Sequence, residues 1–165
     1  MDAVSDRIVK KVRLRARLSE VWHAVANARA FGAWFGMSFD RPFAIGARVT
    51  GRLTPTKVDA QVAQLQEPYA GQVFELVIDR IEPQRLFSFR WHPFATDPNL
   101  DYSKEETTLV VFELAEVEDG TELTITESGF DRLPPERRAE AFKANEGGWQ
   151  HQIRVIEKYL MGRAA

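Results

Sequence analysis

The chain has 165 residues, a formal net charge of −2 and no cysteine. Its length suits one domain whose core needs no metal or disulfide, and the missing cysteines exclude disulfides, thiol nucleophiles and cysteine-held zinc or iron–sulfur centres. The 22 basic and 24 acidic residues form no long block of one sign, which argues against a nucleic-acid partner.

The N-terminal segment predicts a cytoplasmic protein. Residues 1–11 include five charged residues and lack the apolar centre of a signal peptide. No stretch of the sequence approaches the roughly 18 apolar residues of a membrane span. We therefore expect a single domain over residues 1–165 that does not cross a membrane.

The first 36 residues predict one strand and two short helices. Apolar and charged residues alternate over 7–17, which is typical of a strand with one buried face. Ser19 is a plausible N-cap for the first helix. A second helix, rich in aromatic residues, covers 28–35 and is ended by Gly36.

From residue 47 to residue 128 the signal is mainly β. Five segments predict strands, and they cover 47–53, 73–81, 86–92, 107–114 and 121–128. The spacing within 55–68 allows a short helix but is ambiguous at this length. The polar, proline-bearing segment 93–106 predicts a rim loop. Asp119 and Gly120 supply turn chemistry between the last two strands.

A long amphipathic helix is predicted from Pro135 to about Met161, with Gly162 as its C′ residue. Its roughly 27 residues would span about 40 Å. It is the only long amphipathic partner for the apolar face of an antiparallel sheet of about six or seven strands. The sequence therefore predicts an α+β fold in which a curved sheet wraps around the C-terminal helix.

Two glycines and a carboxylate interrupt this helix at Glu146, Gly147 and Gly148. At about 100° per residue, Glu146 shares one apolar stripe with other residues of the helix. These are Phe142, Trp149, Ile153, Ile156 and Leu160. We therefore predict that Glu146 points inward. Each glycine costs a helix roughly 1 kcal/mol against alanine, which predicts either close approach of another backbone or room beside the helix.

Glu127 is a second carboxylate predicted to point inward, because it ends an inward row on the last strand. In one interpretation Glu127 and Glu146 line a cavity. Burial against Trp149 and Phe130 would then disfavour the charged form, so that a carboxyl could donate a proton or hold a ligand hydroxyl. In the other interpretation each carboxylate is paired for structural reasons, and we weigh this one more heavily.

The order of elements and six sequence segments resemble a known family. The segments are Trp91-His92-Pro93, Asp101-Tyr102-Ser103, Thr108-Leu109-Val110-Val111-Phe112, Gly120-Thr121, Glu127-Ser128-Gly129-Phe130 and Glu146-Gly147-Gly148-Trp149. Over about residues 7–160 the chain resembles the START-like helix-grip proteins, in the branch similar to the activator of the heat-shock-protein-90 ATPase. The resemblance implies an internal cavity between the C-terminal helix and the sheet, which in relatives takes lipids, polyketides or other apolar molecules. The resemblance does not imply any particular reaction.

We therefore expect an apolar or aromatic small molecule to bind in this cavity. The predicted ligand-binding residues are Trp22, Trp34, Phe89, Trp91, Tyr102, Phe112, Glu127, Phe130, Phe142, Glu146, Trp149 and Ile153. No catalytic residue or cofactor is predicted, and no His, Asp and Glu set has metal-ligand spacing.

Two alternatives stay open. One is an enzyme of the cyclase, dehydratase or hydrolase type that uses an inward carboxylate as acid or base. The other is a co-chaperone-like interaction module. A chaperone partner is not favoured, because we expect a single domain without the extra N-terminal domain or the basic stretches of the heat-shock-protein-90 activator. Homodimer formation is left open, since no specific interface signal is present.

Overall fold

In the computed structural model, which describes residues 7–97 and 99–164, helices and an antiparallel sheet form an α+β fold. The strands are β1 (Arg7–Leu14), β2 (Met37–Phe39), β3 (Arg48–Leu53), β4 (Val73–Glu82), β5 (Leu86–Trp91), β6 (Thr108–Val117) and β7 (Gly120–Ser128). The helices are α1 (Leu18–Ala26), α2 (Ala28–Phe35), α3 (Ala60–Gln66) and α4 (Pro135–Ala164). Among these, no helix is both long and apolar enough to cross a membrane.

The seven strands form one curved sheet in the order β1-β7-β6-β5-β4-β3-β2. All neighbours are antiparallel, and four successive strands from β4 to β7 form the centre, as the alternation predicts. The first strand returns to pair with β7, and it ends at Leu14 instead of Arg17. The sequence prediction missed β2, because three residues are too few to show an alternation.

The first helix begins at a different residue than predicted, and the ambiguous segment 55–68 contains a helix. Helix α1 has Arg17 and not Ser19 at its N-cap, so the prediction for Ser19 is wrong. The backbone N–H of Arg17 donates to the Glu20 carboxylate at 3.4 Å, which satisfies one backbone donor at this end of the helix. In the ambiguous segment, the Asp59 side chain accepts a hydrogen bond from the backbone N–H of Val62 at 3.0 Å and caps α3.

Helix α4 runs without a break for 30 residues. It passes through Gly147 and Gly148 and continues beyond Gly162, so the prediction that Gly162 is the C′ residue is wrong. The helix contacts α1, α2 and β1. It therefore spans the fold as the long helix of a helix-grip protein does.

Aromatic side chains fill most of the core on the inner face of the sheet. Phe31 of α2 is at the centre of this core, with ring centroids 5.0 Å from Trp34 and 5.8 Å from Phe112. Phe87 and Phe89 of β5 pack beside it at 6.5 and 6.3 Å. All five side chains are fully buried. Such packing leaves little unfilled volume between the helices and this part of the sheet.

Candidate functional site

Glu127, the last inward residue of β7, has a fully buried carboxylate held by four side chains. Its Oε2 accepts hydrogen bonds from Trp91 Nε1 at 2.8 Å and Thr108 Oγ1 at 2.6 Å. Its Oε1 accepts one from Trp149 Nε1 at 2.8 Å. Asn145 Nδ2 donates to both oxygens, at 2.9 and 3.1 Å. One carboxylate thus ties β5, β6 and β7 to α4.

The electrostatics of this cluster are set by burial, since none of the four partners carries a charge. Burial raises the pKa of the Glu127 carboxyl, and the hydrogen bonds from Thr108, the two indoles and Asn145 oppose that rise. Because both oxygens are fully engaged, no part of the carboxylate is free to meet a ligand. The arrangement supports the interpretation of Glu127 as a carboxylate paired for structure, which fixes the two indole rings in place.

The prediction that Glu146 points inward is wrong, because its side chain is exposed. The residue that faces Glu127 from α4 is its neighbour Asn145. The buried stripe of the helix is rotated towards Asn145 and Gln152, which lie about 40° and 60° from Trp149 on the side away from Glu146. Apolar residues alone set the predicted phase, and the half-buried Asn145 and the buried Gln152 shift it.

A cavity of about 80 Å³ lies next to this cluster, between α4, α2 and the end of β5. It is lined by Phe35, Trp91, Asn145, Gly148, Trp149 and Gln152. A Cβ atom built on Gly147 or Gly148 would meet no atom within 4 Å. Of the two explanations for the glycines, the structure therefore supports room beside the helix and not close approach of another backbone.

Gln152, which lines this cavity, has an unused hydrogen-bond acceptor. The side chain is 7% exposed, and its Nε2 donates to the Phe35 carbonyl at 2.9 Å. Its Oε1 is buried and accepts no hydrogen bond from any residue that the structure describes. An unpaired buried acceptor costs about 1–3 kcal/mol, which a donor placed in the cavity would recover. The sequence prediction missed Gln152, Asn145 and Phe35, although the i, i+4 and i+7 spacing of 145, 149 and 152 is a helical signal.

Only two of the twelve predicted ligand-binding residues, Trp91 and Trp149, line the cavity. Glu127 lies behind their rings. Four others are fully buried in the core and three are half-buried against it. The buried four are Trp34, Phe89, Phe112 and Phe130, and the half-buried three are Trp22, Phe142 and Ile153.

Tyr102 belongs to the rim loop and acts there as an anchor. Its hydroxyl accepts a hydrogen bond from the backbone N–H of Asp97 at 3.1 Å. The Arg137 guanidinium of α4 stacks over its ring, 4.7 Å from the centroid, and forms an ion pair with Glu105 at 3.0 Å. Arg137 also donates to the carbonyls of Pro93 and Phe94. These contacts fasten the rim loop to the first turns of α4.

Metal chemistry has no donor set in the part of the chain described. Over 7–97 and 99–164, no three His, Asp or Glu side chains are grouped so that they could hold a metal ion. The cavity itself offers two indoles, a phenyl ring and two amides, which suit a neutral organic ligand better than an ion.

The model of the protein family described as Activator of Hsp90 ATPase homolog 1-like protein matches residues 15–161. No curated protein matches the sequence. Among solved structures, a protein from Mesorhizobium loti is 21% identical, with 93% of this chain and 96% of that chain covered and a TM-score of 0.67.

Two further solved structures share the fold. DynU16, from the dynemicin biosynthetic locus, is 24% identical with a TM-score of 0.65, and the match covers 94% of this chain and 47% of DynU16. The Aha1 dimer from Colwellia psychrerythraea is 13% identical with a TM-score of 0.66, and the match covers 93% of this chain and 95% of that chain. At these identities the likeness shows the fold alone.

Proposed function

Given that the chain belongs to the Activator of Hsp90 ATPase homolog 1-like family, we propose that residues 1–165 form one small-molecule-binding domain. Its ligand is an apolar or aromatic molecule that enters the cavity between α4, α2 and β5. The observation that carries this proposal is the unpaired Oε1 of Gln152, a residue that lines a cavity walled by aromatic rings.

The chemistry of the walls narrows the ligand class. The Trp91 and Trp149 rings lie 6.0 Å apart between centroids at 33° to each other, and Phe35 lies 6.1 and 5.8 Å from them. Flat aromatic molecules pack well on such faces. The Gln152 acceptor requires an O–H or N–H on the ligand. We therefore expect a phenol-like or otherwise donor-bearing aromatic ligand.

The size of the cavity sets how the ligand enters. About 80 Å³ is less than the roughly 150 Å³ cavity that holds benzene, and well below the roughly 300–1,000 Å³ of sites for drug-sized ligands. A single ring fits only if α2 and α4 move apart at the cavity that Phe35 and Gly148 line. A lipid or polyketide-like ligand requires a wider opening of the same seam.

The acid–base enzyme alternative has less support than binding. It needs a carboxylate that faces the cavity, but Glu146 is exposed and both oxygens of Glu127 are occupied by hydrogen bonds. The biosynthetic locus of the fold neighbour DynU16 is compatible with a small-molecule ligand here. The dimeric Aha1 neighbour motivates homodimer formation as a further hypothesis, which sedimentation equilibrium tests.

The test compares phenol with anisole, which has a similar ring but no donor. Saturation-transfer NMR and calorimetry on the purified chain are expected to show phenol binding at least tenfold tighter, because only phenol can donate to Gln152. Equal binding of the two probes, or no binding of either, would contradict the proposal.

Two adjacent glycines provide a matched pair of variants. Gly148→Leu places a side chain in the cavity, whereas Gly147→Leu changes the same helix by the same group but outside the lining. We expect Gly148→Leu to abolish phenol binding and Gly147→Leu to retain it. Equal loss in both variants would indicate an effect on the helix and not on the cavity.

A further inference from the structure

A second and larger depression lies between α2, β2 and the segment that follows β3. It has a volume of about 700 Å³ and opens to solvent, and its lining comes from segments 27–33, 37–42 and 54–58. This groove shares no lining residue with the cavity beside Trp149. Its volume lies in the range of sites for drug-sized ligands.

The walls of the groove are held by hydrogen bonds in which buried groups take part. Thr56, which is buried, donates from its hydroxyl to the Ala33 carbonyl of α2 at 3.1 Å. The backbone N–H of Thr56 donates to Gln66 Oε1 at 2.9 Å, and that of Thr54 donates to the Gly36 carbonyl at 2.9 Å. The segment 54–58 is therefore fixed against α2, and the groove is part of the folded structure.

The charge of the groove is positive. Arg29, Arg41 and Lys57 line it, and Asp40 carries the only negative charge among the described lining residues. Asp40 is already used, because it pairs with Arg41 at 3.1 Å and accepts a hydrogen bond from the Thr50 backbone at 3.0 Å. Over 7–97 and 99–164, neither Arg29 nor Lys57 has an ion-pair partner, so two cations are available to a ligand.

The remaining lining is largely apolar. The buried Met37 and the half-buried Phe39 and Val58 contribute hydrocarbon or aromatic surface, and Pro42 and Pro55 add to it. We propose that this groove is a second binding site, for a small anionic amphiphile. The apolar body of the ligand lies against these side chains, and its carboxylate or phosphate pairs with Arg29 and Lys57.

The experiment uses three eight-carbon probes that differ only in the head group: octanoate, octyl phosphate and 1-octanol. Backbone amide shifts in ¹H–¹⁵N spectra locate the bound probe, and calorimetry gives its affinity. We expect both anions to bind with shifts at 33, 38 and 57 and to weaken as salt is raised. The anion that binds more tightly shows whether the site prefers a carboxylate or a phosphate. The uncharged 1-octanol is expected to bind at least tenfold more weakly than either anion.

Two double variants test whether Arg29 and Lys57 bind the head group. Arg29→Ala with Lys57→Ala removes the two available cations and is expected to weaken octanoate binding about tenfold. Lys11→Ala with Arg13→Ala removes two exposed cations from β1 and is expected to leave it unchanged. Equal binding of 1-octanol and octanoate, equal affinity in both double variants, or shifts confined to Asn145 and Trp149 would each overturn the second site. The first two results leave phenol binding beside Gln152 untouched, and the third would place octanoate in that cavity instead of the groove.

Discussion

Replacing Glu127 with glutamine tests the buried cluster most sharply, because the two residues have nearly the same shape. Each carboxylate oxygen receives one indole N–H, from Trp91 on one side and Trp149 on the other. The amide nitrogen of glutamine must therefore face one indole donor, whichever way the amide is turned. One buried N–H then has no acceptor, which costs about 1–3 kcal/mol of unfolding free energy.

The pH dependence of this cost has a definite sign. Burial raises the pKa of the Glu127 carboxyl above its ordinary value of 4.5, so the folded chain holds this proton more tightly than the unfolded chain does. The stabilisation linked to the proton is fully present below pH 4.5 and is lost as pH rises through the pKa of the folded state. Glutamine does not titrate. The penalty of Glu127→Gln is thus largest in mild acid and decreases as pH rises.

The assay is urea unfolding of both proteins at pH 5, 6, 7 and 8, followed by far-ultraviolet circular dichroism. The carboxylates whose pKa is lowered, Asp40, Asp59 and Asp101, are present in both proteins, so their contributions cancel in the difference. A penalty that stays constant with pH, or grows as pH rises, would refute a pKa raised by burial. A constant penalty would mean that the hydrogen bonds balance desolvation, and a growing one that they outweigh it.

Three other changes test the surroundings of the site. Gly148→Ala is expected to raise the unfolding free energy by about 0.5–1 kcal/mol, because the new Cβ meets no atom within 4 Å; a lower melting temperature would contradict the open space. Arg137→Ala is expected to speed proteolytic cleavage of the rim loop without altering circular dichroism, and unchanged cleavage would mean that other contacts hold the loop. Asp59→Asn is expected to destabilise the chain at pH 7 and to lose this effect as pH falls below 3.8. The pKa of Asp59 is lowered by the Val62 N–H and by Lys158, so its stabilisation is present above pH 3.8 and lost as pH falls through the lowered pKa. A pH-independent difference would count against that ion pair.

Strand and helix patterns differ in how well they place a side chain. On β7 the alternation has only two phases, so the buried position of Glu127 follows once Leu123 and Ile125 are assigned to the core. On α4 the stripe can lie at any angle, and two inward amides, the half-buried Asn145 and the buried Gln152, move it away from Glu146. Polar residues in a buried helical stripe are invisible to a phase set by apolar residues.

The volume of the cavity was also beyond sequence reasoning. The pattern predicts that Trp91 and Trp149 point inward, and they do. Whether aromatic rings fill a space or surround one depends on their rotamers and on neighbours such as Phe31 and Phe35 from another element. The sequence pattern shows which residues are aromatic, but it does not show which rings from different elements contact one another. The fold class was predictable because it depends on the order and length of the elements.

The most direct test of the proposed function is the set of four indole N–H signals in a ¹H–¹⁵N spectrum during titration with phenol. Trp91 and Trp149 line the cavity, whereas the Trp34 indole donates to the Ala24 carbonyl at 2.8 Å inside the core and serves as an internal control. A small-molecule site beside Gln152 predicts that the Trp91 and Trp149 signals shift with saturation while the Trp34 signal stays in place. Four unmoved signals, or a Trp34 shift equal to the others, would contradict it.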